Sequence, residues 1–232
     1  MPSISLKELI FEAAAFKIIE FDLEEFKKLP DFASKENYLD ELLKLESITE
    51  LGRGISRIAY DIGNNKVLKF CQREGTAWSW QNETEIRIWR CSNNSPVLAR
   101  IFEWEQNNPL GPSWIIAEKA NMIFEEILDG DTACLEYINN ALNLKHSKIT
   151  DWYTLQDLFA ILSLAVDNKV IKFNSAPVEY AFNEIFPDNI TAWTKEFISL
   201  EKVCKFKAKD LHCGNWGLFG MQLKLVDYGI AG

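Results

Sequence analysis

Between Ile48 and Phe70 the chain is cut into short apolar runs that leave little choice of architecture. Ile48 to Leu51, Ile58 to Ile62 and Val67 to Phe70 have the length and composition of strands, and Gly63-Asn64-Asn65 separates the last two. A break that short has no room for the crossover a parallel pair requires, so the runs form an antiparallel meander. Thr76 to Trp89 then carries apolar residues at helical spacing. Two further apolar runs, Val97 to Trp104 and Trp114 to Ala117, flank an Asn-Asn-Pro-Leu-Gly-Pro turn. Five strands and one helix make a small α+β lobe. Beyond Asn121 the periodicity is mainly helical. Helices are expected near Phe124 to Asn143, Trp152 to Asp167 and Thr191 to Cys204, and two short strands flank Phe219-Gly220-Met221.

The first 50 residues differ in charge, with 12 acidic and 6 basic side chains carrying −6 of the net −9. Ser5 and Glu8 form a capping-box pattern ahead of Leu9, Ala13 and Phe16. Ser34 opens a second run through Tyr38, Leu42 and Leu45, and Pro30 separates the two. These read as amphipathic helices with solvated acidic faces; the alternative is an acidic docking surface for a basic partner. The expected organisation is a helical extension over 1–47, a sheet-bearing lobe over 48–120 and a mainly helical lobe over 121–232.

Composition narrows the function. At 232 residues and 47% hydrophobic content the chain can bury a real core. The longest uncharged apolar run, Leu158 to Val166, is nine residues, far short of the roughly 20 of a membrane helix. Lys7 and Glu8 interrupt the N-terminus before a signal peptide could form, so a cytosolic location is expected. The five cysteines are odd in number and lack a C-x-x-C pair, which reads as buried free thiols. Two histidines, His146 and His212, leave most metal-hydrolase and triad chemistries without their parts. The negative charge opposes a nucleic-acid backbone, so no nucleic-acid partner is expected. The eight tryptophans are scattered and read as core.

Chemistry-bearing residues lie at both ends of the α+β pattern. Gly52-Arg53-Gly54 falls between two expected strands, where glycines let backbone amides approach phosphates; by itself it is also compatible with an ordinary turn. Lys69 ends an apolar strand. It is either an exposed strand-end lysine or an inward cation needing a counter-charge from the next helix, which offers Glu83 and Glu85. Glu85 shares a helix face with Trp78, Gln81 and Ile88 and is the expected partner. Near the C-terminus stand Asp210-Leu211-His212-Cys213-Gly214-Asn215 and, after a short hairpin, Asp227-Tyr228-Gly229. Two acids and an asparagine at this spacing can supply a base or orienting carboxylate and two oxygen ligands for Mg²⁺. Such carboxylates at a cleft give no reason for the fold to depend on Asp227.

The ordered series of glycine loop, strand lysine, helix glutamate, D-x-x-x-x-N and D-Y-G resembles the protein-kinase-like superfamily from about Leu51 onward. The D-L-H-x-G-N wording is similar to aminoglycoside and choline phosphotransferases, and the overall order to small early protein kinases of bacteriophages. The resemblance implies a two-lobed fold with a reduced helical C-lobe. It implies that Gly52 and Gly54 cover the ATP phosphates, Lys69 holds the α and β phosphates, and Glu85 fixes that lysine. Asp210 would orient or deprotonate the acceptor, His212 would lie near the transferred phosphate, and Asn215 and Asp227 would hold Mg²⁺. Backbone groups of Glu118 and Ala120 would meet adenine. Arg57 stands where a third loop glycine would be, Ala208-Lys209 replaces the usual pair before the aspartate, and Tyr228 replaces phenylalanine. The implied activity is ATP- and Mg²⁺-dependent phosphoryl transfer to Ser or Thr of a protein, a host protein in the host cytoplasm if the phage likeness holds. The alternatives are a pseudokinase-like module that redirects a partner, and a small-molecule phosphotransferase.

Overall fold

The computed structural model describes residues 20–123, 136, 140, 190–205, 215–220 and 222–228. The helices expected around Ser5–Phe16, Phe124–Asn143 and Trp152–Asp167 lie outside these residues, apart from the isolated positions 136 and 140. Helices α1 (Leu23–Lys28) and α2 (Phe32–Lys44) each start at an aspartate. Asp22 accepts the Glu24 and Glu25 amides and Asp31 accepts the Ser34 amide at 2.7 Å. Ser34 therefore sits in the first turn of α2 and does not open it. The ionised Asp31 is a stronger acceptor than a hydroxyl and complements the positive end of the helix.

Five strands follow: β1 (Thr49–Arg53), β2 (Arg57–Asp61), β3 (Lys66–Cys71), β4 (Ile101–Trp104) and β5 (Trp114–Glu118), with α3 (Thr76–Cys91) between β3 and β4. They form one antiparallel sheet in the order β1-β2-β3-β5-β4. The β2–β3 turn places Gly63, Asn64 and Asn65 at φ of 78°, 53° and 56°, the left-handed region that these residue types tolerate. The α+β lobe thus has the five strands and one helix expected from the hydrophobic pattern.

One face of the sheet is covered by the N-terminal helices. Phe26, Leu39 and Leu42 share a core with Ile58, Tyr60, Leu68, Phe70, Trp114 and Ile116. Phe26 meets Trp114 edge-on at 5.7 Å, and Phe32 stacks on Phe70 at 4.8 Å. Glu24, Glu36 and Glu41 face out from the same helices. Because strand side chains alternate, Leu68 and Phe70 entering this core send Lys69 to the opposite face, toward α3.

A second antiparallel sheet joins β6 (Met122–Ile123), β7 (Trp216–Phe219) and β8 (Gln222–Leu225), and α4 (Ile190–Cys204) packs against α3. Phe197 of α4 meets Trp216 at 6.0 Å. The Leu225 amide donates to the Val97 carbonyl and the Ala99 amide to the Leu225 carbonyl, both at 2.8 Å. The run expected as one strand over Val97–Trp104 is therefore divided. Its first part spends its backbone groups on β8, and only Ile101–Trp104 joins the large sheet.

Two sequence expectations need correction. Cys91 and Cys204, at the ends of α3 and α4, form a disulfide with Cα atoms 5.4 Å apart; of the thiols described, Cys71 is free and buried. The pairing joins residues 113 apart in sequence, which no local spacing signals. Among the tryptophans, Trp114 and Trp216 are core, whereas Trp80 is exposed on α3. Among the described residues no helix is long and apolar enough to cross a membrane.

Phe26 tests whether α1 belongs to the core of the sheet. Phe26→Ala should lower unfolding free energy by about 3–5 kcal/mol in urea titration. A loss under about 1 kcal/mol would show that α1 is dispensable to that core.

Candidate functional site

Helix α3 buries an unusual face: Ser79, Gln81, Asn82 and Glu85 are all inside it. A carboxylate with no exposed surface, as Glu85 has, is tolerable only when cations meet it. Two do. The Lys69 ammonium donates to both Glu85 oxygens at 3.0 Å and to the Val226 carbonyl. The Arg57 guanidinium donates through Nη2 to Glu85 Oε1 and, at 2.8 Å, to Asp227 Oδ1, while Nη1 donates to Asn82 Oδ1 at 3.0 Å. Gln81 Nε2 donates to both Asp227 oxygens at 3.1 and 3.2 Å, and Gln81 Oε1 accepts from the Ser56 hydroxyl. Two cations and two carboxylates thus form one charge-balanced cluster that ties the start of β2, β3, α3 and the segment after β8. Glu83 is exposed and takes no part.

The electrostatics follow from burial and neighbours. Burial pushes the Lys69 pKa down; Glu85 opposes this and Arg57 adds to it, so the net shift is downward. For Asp227 burial works upward, but Arg57 and then Lys69 outweigh it and hold the carboxyl well below the usual carboxylate range. Arg57 stays charged because Asp227 and Glu85 overcome the opposing effect of burial. Tyr228 is buried, its hydroxyl donating to the Ala99 carbonyl at 2.9 Å, and burial raises its pKa.

The Gly52-Arg53-Gly54 run, expected as a loop between strands, is not one: Gly52 and Arg53 end β1, opposite Ala59 and Ile58 of β2, and only Gly54 to Ser56 turn between the strands. The Gly54 amide donates to the Arg57 carbonyl at 2.9 Å, and the Gln72 amide to the Ser56 carbonyl at 2.9 Å. A Cβ on Gly52 would meet no atom within 4 Å, so packing within the protein does not demand a glycine there; close approach of a ligand would. Of the two residues expected to meet adenine, Glu118 spends its amide on the Arg100 carbonyl at 2.8 Å and its carboxylate on Lys224 Nζ at 2.8 and 3.1 Å. It clasps β5 to β8. Ala120 follows as a buried residue. Asn215 is buried just before β7, its carbonyl accepting the Val226 amide at 2.8 Å, so its backbone lies beside the Asp227 segment. Asp210 and His212 lie outside the described residues.

Sequence reasoning passed over Arg57, Gln81 and Asn82 as site residues. The signals were present: an arginine at a loop-glycine position, and Gln81 one turn before Glu85. Of the two Mg²⁺ ligands implied by the resemblance, Asp227 does not suit a dication in this arrangement. Both Asp227 oxygens accept N–H donors, and a guanidinium 2.8 Å from Oδ1 repels a second cation. Among the described residues no group of three or more His, Cys, Asp or Glu could hold a metal.

No family model and no curated protein matches the chain. Among solved structures it is similar to the GDP and kanamycin complex of an APH(2") enzyme of type IIIa, with TM-score 0.38 and 14% identity, over 83% of this chain and 72% of that one. A GDP complex of a mutant type IIIa aminoglycoside phosphotransferase gives TM-score 0.37 and 14% identity over 84% and 72%. The streptomycin and ATP ternary complex of a type IIa enzyme gives 0.34 and 12% over 91% and 71%.

Glu85→Ala strands two buried cations and should cost about 3–5 kcal/mol, whereas Glu83→Ala should stay within about 0.5 kcal/mol; equal losses in urea titration would disprove the cluster. Through its ion pair with Arg57, Asp227 should also support the fold, for which the residues alone gave no reason. Its folded pKa lies below the ordinary 3.8, so its contribution is complete above that pH and is lost as pH falls toward the folded value. Acid titration of stability should therefore slope more steeply below pH 3.8 in the wild type than in Asp227→Asn.

Proposed function

We propose that this protein is a nucleotide-dependent phosphotransferase of the kinase-like type that uses ATP. The observation that carries this reading is the buried Lys69–Glu85 pair, on a strand lysine and a helix glutamate, in a sheet whose exposed Gly52 has open space at its missing Cβ. In this reading Lys69 meets the α and β phosphates, exchanging the Val226 carbonyl for a phosphate oxygen while Glu85 keeps it in place. Gly52 and Gly54 let backbone amides close over the phosphates, and the Glu118–Ala120 segment receives adenine. Asp210 orients the acceptor hydroxyl and His212 donates near the transferred group. The acceptor is a Ser or Thr hydroxyl of a protein, of a host if the chain is phage-encoded; the phage-type order of motifs supports that choice.

A second reading is favoured by one observation, the engagement of Asp227 by Arg57 and Gln81: a nucleotide-binding interaction protein in which transfer is vestigial. Labelled ATP offered with protein lysate, and separately with aminoglycoside and choline acceptors, separates these readings. Label is expected on protein, and Lys69→Met should reduce it by about 100-fold or more. Label on the small molecules instead would move the assignment to a small-molecule phosphotransferase. ATP binding without transfer to any acceptor would favour the interaction protein.

A further inference from the structure

Arg57 opens β2, and its side chain enters the charge cluster, where the residue is 6% exposed. A buried arginine is costly to keep unless anions meet it, and its contacts show what it serves. Nη2 bridges Glu85 and Asp227, and Nη1 is steadied by Asn82. Asp227 receives three N–H bonds in all, one from Arg57 and two from Gln81, and these use both of its oxygens. Arg57 and Lys69 already balance Glu85 and Asp227, so this cluster of described residues offers a dication no uncompensated carboxylate. Of the five guanidinium N–H groups, those on Nε and the second on Nη1 make no hydrogen bond to the described residues. A planar, weakly hydrated guanidinium with donors to spare suits phosphate oxygens.

We infer that Arg57 takes the electrostatic place of a divalent ion at Asp227, so that this chain binds nucleoside triphosphate without a metal. The inference rests on the nucleotide-binding reading above. It names Arg57 as a binding residue that the kinase-like pattern does not contain, and it reassigns Asp227 from metal ligand to anchor of that arginine.

Calorimetric titration of ATP into the full chain, once in excess Mg²⁺ and once in excess EDTA, tests it. The two dissociation constants should agree within about threefold. Arg57→Met should weaken binding in EDTA by about tenfold or more, the value of a lost charge-assisted hydrogen bond, and recover in Mg²⁺ because Asp227 is then released. Arg57→Lys keeps a charge and should stay metal-independent; it decides the matter if circular dichroism shows that Arg57→Met does not fold. Wild-type binding that falls more than about tenfold on chelation overturns the inference while leaving the phosphotransferase reading intact. Folded Arg57→Met binding as tightly as wild type in EDTA overturns it equally. Absence of ATP binding by the wild type in both conditions removes the nucleotide reading itself, and this inference with it.

Discussion

The burial of Glu85 is the constraint on which the rest of the structure depends. A carboxylate with no exposed surface is sustained only by cations brought from elsewhere in the chain, and those come from β3 and from the start of β2. Lys69 and Arg57 in turn need further acceptors, which the Val226 carbonyl and Asp227 supply. Satisfying one buried charge thus joins the sheet, the helix and the second, smaller sheet at one place. The polar inner face of α3 would be a defect in a purely structural helix. Here it holds one half of the charge cluster.

The two faces of the large sheet divide the work. Apolar packing of Phe26, Phe32, Leu39 and Leu42 against Leu68 and Phe70 holds β3 from one side, and the charge cluster uses β3 from the other. A strand buried on both faces cannot slip without moving every side chain to the wrong environment, so the position of Lys69 is tied to its apolar neighbours. The clasp of Glu118 to Lys224, with the Val97–Ala99 pairing to Leu225, then fixes the smaller sheet against the large one. Asp227, two residues beyond Leu225, is delivered to Arg57 by that joint.

Much of this was legible in the linear chain, because it rests on short-range periodicity. The Gly63-Asn64-Asn65 turn, the alternation that sends Lys69 away from Leu68 and Phe70, and the helical spacing that puts Glu85 beside Gln81 and Ile88 are local properties of backbone geometry. Reading a pair from Lys69 to Glu85 needed only that a cation and an anion facing inward must meet.

What tertiary structure alone decided are contacts between residues far apart in sequence. Arg57 looked like a lapse in a glycine pattern, and only the arrival of Asp227, 170 residues later, turns it into a buried cation with two carboxylates. The Cys91–Cys204 disulfide depends on where α3 and α4 end relative to each other, and the division of the Val97–Trp104 run depends on which edge β8 pairs with. The N-terminal helices show both sources at once: their amphipathic pattern is in the residues, but the face they cover exists only once the sheet is formed. Periodicity says which side of an element turns inward. It carries no information on which distant partner waits there, because that is settled by how chain ends and strand edges meet in three dimensions.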